Sequence, residues 1–284
     1  MSIVRVGIVG SGIMGSGIAE VAAAAGYEVV LRSRTTQGVD TMRAALATSL
    51  ARQVDKDKRS RAEADEIAAR VTATTHMGDL VDADLVIESV VEDLSVKKAL
   101  FAELDSVCKP GAILATNTST LPVVEMAMAT ARPDLVCGIH FFNPASAMPL
   151  VEVVRPVTAL DSTVQAALEF AAACGKDPVE VKDQAGFVVN ALLFPYLNNA
   201  VRLLEQGVAS KEGIDAAMKG GCGFPMGPFA LLDLVGLDTS VAILDALYDE
   251  FRDQNYASVP LLRRMVTSGQ LGRKTRRGFY DYDR

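Results

Sequence analysis

Residues 4–25 read VRVGIVGSGIMGSGIAEVAAAA, and no other segment constrains the fold as tightly. Val4 to Val9 is an apolar run of strand length. It meets Gly10-Ser11-Gly12-Ile13-Met14-Gly15, a G-x-G-x-x-G, and Gly15 to Ala25 then reads as a helix. Strand, glycine turn and helix in that order predict the opening of a βαβ unit. Gly10 permits the tight turn, Gly12 lets the backbone approach a ligand, and Gly15 lets the helix pack closely on the strand. The helix N-terminus offers unbonded N–H groups and a positive dipole end, which suit a pyrophosphate. Glycines that only shape a turn are the alternative.

Further apolar runs follow at Glu28–Leu31, Leu85–Ile87, Ile113–Ala115 and Val136–Phe142, with an amphipathic helix at Ser95–Val107. Strands alternating with helices predict parallel βαβ units in a Rossmann-type doubly wound α/β sheet. Residues 38–70 are too long for a short crossover and read as a helical insertion, two helices around a charged turn near Asp55–Arg61. The pattern changes near Asp183. Helices are expected at Val188–Gln206, Glu212–Lys219, Phe229–Val235, Asp238–Phe251 and Pro260–Thr267, with no convincing strand. The expected division is a dinucleotide-binding domain at 1–184 and an all-α domain at 185–284.

Composition removes several classes of function. Half of the 284 residues are hydrophobic and the net charge is -7, so a disordered chain or a general nucleic-acid or anionic-membrane binder is not expected. No apolar run approaches the roughly 20 residues of a membrane span, and no charged leader precedes an apolar stretch, so a cytoplasmic protein is expected. Cys108, Cys137, Cys174 and Cys222 form no CxxC or metal-ligand pattern and read as small buried residues. No metal site is expected.

The end of the second strand reads Arg32-Ser33-Arg34. A carboxylate about 20 residues beyond the glycine loop would hold the ribose 2′-hydroxyl of NAD. Here that position falls on Ser33, between two arginines. A hydroxyl flanked by guanidinium groups suits a 2′-phosphate through charge-assisted hydrogen bonds, so NADP is the expected cofactor. Arginines as plain surface charges, with NAD still bound, are the alternative.

Two histidines occur. His76 lies in a polar loop and reads as solvated. His140 ends the apolar strand CGIHFF, where ligands bind in parallel sheets. Glu152, in LVEVV, is costly among aliphatic residues unless paired. A reversal of the chain near Ser146 would let positions 140 and 152 face each other, and the carboxylate would then fix the imidazole tautomer and stabilise its charged form. A core histidine and a strand-edge glutamate are the alternative. The hydroxyls of Thr116–Thr120 should also sit at a strand end, and Asn190 interrupts an apolar segment.

Together these residues resemble the 3-hydroxyacyl-CoA dehydrogenase family, its bacterial members acting on 3-hydroxybutyryl-CoA most of all. The resemblance rests on GSGIMGSGIAEVAA, DLVIESVVED, ILATNTST, GIHFFNPASAMPLVEVV, GKDPVEVKDQAGFVVNALLFPYLNNAV, GFPMGPFALLDLVGLD and LGRKTRRGFYDY. It implies hydride transfer between a nicotinamide cofactor and C3 of the acyl group, interconverting 3-hydroxybutyryl-CoA and acetoacetyl-CoA. His140 matches the family's catalytic histidine, Glu152 its partner, and Ser119 and Asn190 its substrate-orienting residues. Gly10, Gly12, Ile13, Met14, Gly15, Arg32, Ser33, Arg34, Glu92, Lys97, Asn117, Asn143 and Lys274 are the expected cofactor contacts. Arg52 and Lys56, one helical turn apart, match the basic positions that hold CoA. A solvated charged turn is the alternative for Lys58, Arg59 and Arg61. The resemblance also implies a homodimer formed through the helical domain. Family members using NAD commonly carry Asp at the Ser33 position, which is the departure behind the NADP expectation. Two rivals stand beside this reading: a dehydrogenase for 3-hydroxyacyl groups on a carrier protein, and a non-catalytic dinucleotide-binding protein.

Overall fold

The computed structural model describes residues 3–283. It falls into two compact units, Met1–Asp183 and Gln184–Arg284. The first contains β1 (Arg5–Val9), α1 (Ile13–Ala24), β2 (Glu28–Arg32), α2 (Thr36–Asp55), α3 (Arg61–Ala69), β3 (Val71–Thr74), β4 (Leu85–Glu88), α4 (Leu94–Val107), β5 (Ile113–Thr116), α5 (Val123–Ala127), β6 (Val136–Phe141), β7 (Leu150–Arg155), α6 (Asp161–Ala173) and β8 (Asp177–Lys182). One sheet holds all eight strands in the order β3-β2-β1-β4-β5-β6-β7-β8. The order reverses direction between β1 and β4, which opens a crevice at the strands' carboxyl ends. Ile8, Leu31, Ile87, Ile113 and Ile139 are fully buried beneath it. Apolar residues on both faces of a strand require cover on both faces, which the helices supply.

Every neighbouring pair is parallel except β6–β7. Residues 142–149 connect these two strands without a helix, too short a link for a parallel crossover of a dozen or more residues. The chain therefore doubles back, and the antiparallel register sets His140 opposite Glu152. The insertion is the two helices α2 and α3. Thr35 caps α2 by accepting the Gly38 N–H at 3.0 Å. Ser60 and Glu63 form a reciprocal capping box on α3.

Two strands and one helix fall where the sequence carries a weak pattern. β3 is VTAT, with no strong apolar alternation. β8 is an edge strand whose Asp177, Glu180 and Lys182 are exposed, charges that discourage pairing with another chain. The helix α6 between β7 and β8 completes a parallel crossover within residues that sequence patterning left unassigned.

The second unit contains α7 (Val189–Glu205), α8 (Lys211–Cys222), α9 (Pro228–Val235), α10 (Leu237–Phe251) and α11 (Pro260–Thr267). Its core gathers Leu197, Phe229, Leu232, Leu244, Leu262 and Phe279. Only isolated bridges, Gly272–Arg277 and Arg277–Asp281, join its described residues in β fashion. The buried carboxylate of Asp233 closes the final segment by accepting the N–H groups of Phe279 and Tyr280, both at 2.8 Å, and the Tyr282 hydroxyl at 3.1 Å. No helix among the described residues is long and apolar enough to cross a membrane. The cysteine expectation needs correction at two positions: Cys222, at the C-terminus of α8, is exposed and Cys174 is half-buried.

Candidate active site

The glycine loop is built by contact rather than by flexibility. Gly10 has φ +116°, and a Cβ there would lie 2.2 Å from the Ser89 carbonyl oxygen. A Cβ on Gly15 would lie 1.9 Å from the Gly10 carbonyl oxygen. The loop thus presses against the end of β4, and α1 presses against the loop. Around Gly12 a Cβ would meet nothing within 4 Å, so the turn is open on its ligand side. Gly12 caps α1 without a side-chain bond, and no acidic residue occupies the first turn. That cradle fits a pyrophosphate. Gly15→Ala is expected to abolish measurable nicotinamide-cofactor binding in a fluorescence titration, because backbone rather than a flexible side chain blocks the methyl group. Retained affinity would show that the loop can shift.

At the end of β2, Ser33 is buried and its Oγ lies 2.9 Å from Ser11 Oγ. Gly38 makes this possible, since a Cβ there would sit 2.1 Å from Ser33 Oγ. Arg34 is exposed, whereas Arg32 is half-buried with its Nε enclosed and unpartnered. Neither arginine makes an ion pair among the described residues.

His140 closes on Glu152 across the antiparallel pair. Nδ1 lies 2.8 Å from Glu152 Oε2, and both side chains are buried. With Nδ1–H donating to the carboxylate, the pair fixes which ring nitrogen carries the proton. The Phe142 ring packs on the imidazole at 4.5 Å between centroids. Burial pushes the thiol of Cys137, three residues earlier on β6, up to about 12. It stays protonated near neutrality and is no nucleophile.

Beneath the ends of β4 and β5 lies a buried charged network. Glu88 is fully enclosed and accepts from Lys97 Nζ at 2.7 and 2.8 Å, from Thr116 Oγ1 at 2.7 Å and from the Val90 N–H at 2.6 Å. Lys97 also reaches Glu92 at 3.3 Å. Glu92 in turn accepts Thr118 Oγ1 at 2.5 Å, the Ser119 N–H at 3.0 Å and Ser119 Oγ at 3.5 Å. Sequence reasoning singles out Glu92 and Lys97 as cofactor contacts and Ser119 as a substrate contact, and does not single out Glu88, whose one signal is an acid closing the apolar run LVIE. Lys97 itself is enclosed by the two glutamates instead of standing at the surface.

The loop after β6 carries Asn143, which is exposed. The buried Lys176 pins this loop by donating to the carbonyls of Ala145 at 2.6 Å and Met148 at 2.9 Å. Burial holds that ammonium below the usual lysine range. Between this loop and α2 lies an open cavity of about 590 Å³, lined by Thr48, Ser49, Arg52, Lys56, Lys58 and Ser146 among others. Arg52 and Lys56 therefore share one cavity. In the second unit, Asn190 is buried in the first turn of α7, and Lys274 lies 2.6 Å from Asp238.

Comparison with known proteins gives the class. Residues 5–184 match the model described as "3-hydroxyacyl-CoA dehydrogenase, NAD binding domain", and residues 186–282 match its C-terminal domain. The chain belongs to the 3-hydroxyacyl-CoA dehydrogenase family, and its cofactor is a nicotinamide dinucleotide. Within that family it resembles the bacterial 3-hydroxybutyryl-CoA dehydrogenases. It is 48% identical to the one from Clostridioides difficile, over 99% of this chain and 100% of that protein. The crystal structure of FadB2 from Mycobacterium tuberculosis superposes with a TM-score of 0.97 at 48% identity, covering 99% of this chain and 100% of FadB2. (S)-3-hydroxybutyryl-CoA dehydrogenase PaaH1 from Ralstonia eutropha also gives 0.97, at 41% identity over the whole of both chains.

Proposed function

We propose that this enzyme interconverts 3-hydroxybutyryl-CoA and acetoacetyl-CoA, and that it prefers NADP(H). The observation that carries the reading is the buried His140–Glu152 pair at the carboxyl end of the sheet. When bound, the nicotinamide supplies or accepts the hydride at C3 of the acyl group. In reduction, His140 as the imidazolium gives the proton on Nε2 to the oxygen forming on C3. In oxidation, the neutral ring takes the hydroxyl proton. Glu152 holds the ring by Nδ1 and balances its positive charge. Ser119, steadied by Glu92, donates a hydrogen bond to the same substrate oxygen. Arg52 and Lys56 hold the phosphates of CoA in the α2 cavity. Glu92 and Asn143 contact the cofactor, while Lys97 acts by holding Glu92. Asn190 and Lys274 on the second unit keep the substrate and cofactor roles that the family pattern implies. Assembly as a homodimer belongs to the same reading.

The NADP preference is supported by the residues around Ser33. No acid lies between Arg32 and Gly38, and two arginines without ion-pair partners among the described residues flank a buried hydroxyl. A 2′-phosphate there gains charge-assisted bonds that NAD cannot make. Steady-state reduction of acetoacetyl-CoA with each cofactor tests both halves of the proposal. We expect kcat/KM to favour NADPH, and Arg34→Ala or Ser33→Asp to lower the NADPH value by about 10–100-fold, the worth of one or two hydrogen bonds to a charged group. Equal or better use of NADH by the unaltered enzyme rejects the cofactor preference. Absence of turnover with acetoacetyl-CoA rejects the substrate.

A further inference from the structure

The backbone ladder between β5 and β6 stops at Thr116–Gly138, two residues short of His140. Beyond that point the chain stays paired with β4, the Asn117 N–H donating to the Glu88 carbonyl at 2.8 Å. β6 runs on to Phe141, so its last residues lack a strand on that side. The side chain of Asn117 takes the place of the missing rung. Its Oδ1 accepts the Phe141 N–H at 2.8 Å, and its Nδ2 donates to Ser89 Oγ at 3.3 Å. Ser89 is the residue whose carbonyl oxygen abuts Gly10. One amide therefore spans from the residue packed on the glycine loop to the residue that follows His140.

We infer that Asn117 is a positioning residue, a strut that sets the distance between the cofactor loop and the His140 imidazole, and not a cofactor ligand. Both polar ends of its amide are already engaged within the protein. A buried N–H needs an acceptor, and losing one frees the strand end to move. Hydride and proton transfer are both sensitive to such movement, since displacement by about 1 Å can cost 10²-fold in rate. The inference rests on the reading of His140 as the proton-exchanging group.

The test compares Asn117→Ala, Asn117→Asp and Ser89→Ala with the parent enzyme. The measurements are saturating kcat for acetoacetyl-CoA reduction, the Kd of the reduced cofactor by fluorescence titration, and the isotope effect with the 4-deuterated cofactor. Asn117→Ala is expected to lose about 10–100-fold in kcat with cofactor Kd changed by less than about three-fold, and its isotope effect should rise as hydride transfer limits turnover. Asn117→Asp keeps an oxygen for the Phe141 N–H and should recover most of kcat. Ser89→Ala keeps the Phe141 rung but removes the loop end of the strut, so it should lose less kcat than Asn117→Ala, with cofactor Kd likewise changed by less than about three-fold; a loss larger than that of Asn117→Ala overturns the inference. A rise in cofactor Kd with kcat preserved makes Asn117 a ligand and overturns the inference. So does a full kcat in Asn117→Ala, or a loss in Asn117→Asp as large as in Asn117→Ala. If the alanine variant does not fold, the aspartate variant decides alone: a kcat near the parent's supports the strut, and a collapse of kcat overturns it. His140→Gln run alongside separates the two ideas, since turnover retained there sinks the His140 reading itself.

Discussion

Replacing His140 by glutamine should lower kcat for acetoacetyl-CoA reduction by about 10²–10⁴-fold, the usual worth of a positioned general acid. Cofactor affinity should stay nearly constant, because His140 is no part of the glycine loop. Glutamine is chosen over alanine for a structural reason. Glu152 is 1% exposed, and alanine at 140 would leave its carboxylate without the Nδ1–H donor, at a cost of about 1–3 kcal/mol in stability. A glutamine amide can still offer that carboxylate an N–H, yet it cannot carry the transferred proton. Glu152→Gln probes the other partner. The neutral amide no longer balances an imidazolium, and it can donate to Nδ1 and so impose the wrong tautomer. Its kcat should fall by about 10²–10⁴-fold as well, by the tautomer argument known from catalytic triads. The double variant should be scarcely worse than either single one, because the two groups act as a unit. Steady-state rates for the three proteins decide the matter. Either single variant working within about ten-fold of the parent would remove the imidazole from the chemistry.

The parts of this arrangement that were legible in the sequence are those encoded by short-range pattern. G-x-G-x-x-G between a strand and a helix needs only neighbouring residues to be recognised. His140 and Glu152 were readable because a carboxylate among valines demands a partner and a reversal near Ser146 supplies one. What was not legible depends on residues far apart in the chain. Glu88 looks like the polar end of an apolar strand until α4 brings Lys97 and β5 brings Thr116 to it. Asn117 sits in a run of hydroxyl and amide residues that reads as ligand-facing, yet its amide serves Phe141 and Ser89, at separations of 24 and 28 positions. Lys97 is expected from the family resemblance as a cofactor contact, whereas the fold encloses it between Glu88 and Glu92. The strands β3 and β8 escaped for a different reason. Each lies at a sheet edge, where one face or both stay wet and the alternation that marks a half-buried strand is weak.

The enclosed pair beneath β4 and β5 carries the second large effect. Lys97→Met is expected to destabilise the protein by about 3–5 kcal/mol, the usual result of removing one partner from a buried ion pair. Lys97 is 1% exposed and Glu88 0%, so water cannot replace the lost ammonium, and the Thr116 hydroxyl and Val90 N–H remain as the neutral donors to that carboxylate. The expected drop in thermal midpoint is about 10 °C for a unit of this size. Removing the charge from both sides, as in Glu88→Gln with Lys97→Met, should recover a good part of the loss, because the largest penalty is an uncompensated charge rather than a missing attraction. Recovery of stability need not restore activity. Glu92 receives its cation from Lys97 and holds Thr118 and Ser119 by three contacts, so the double variant should still show a raised KM for acetoacetyl-CoA. Denaturant unfolding and steady-state kinetics on the same three proteins read both quantities. A single variant that loses less than about 1 kcal/mol would mean that the pair is dispensable to the fold, and an unchanged KM in the double variant would disconnect it from the substrate end of the sheet.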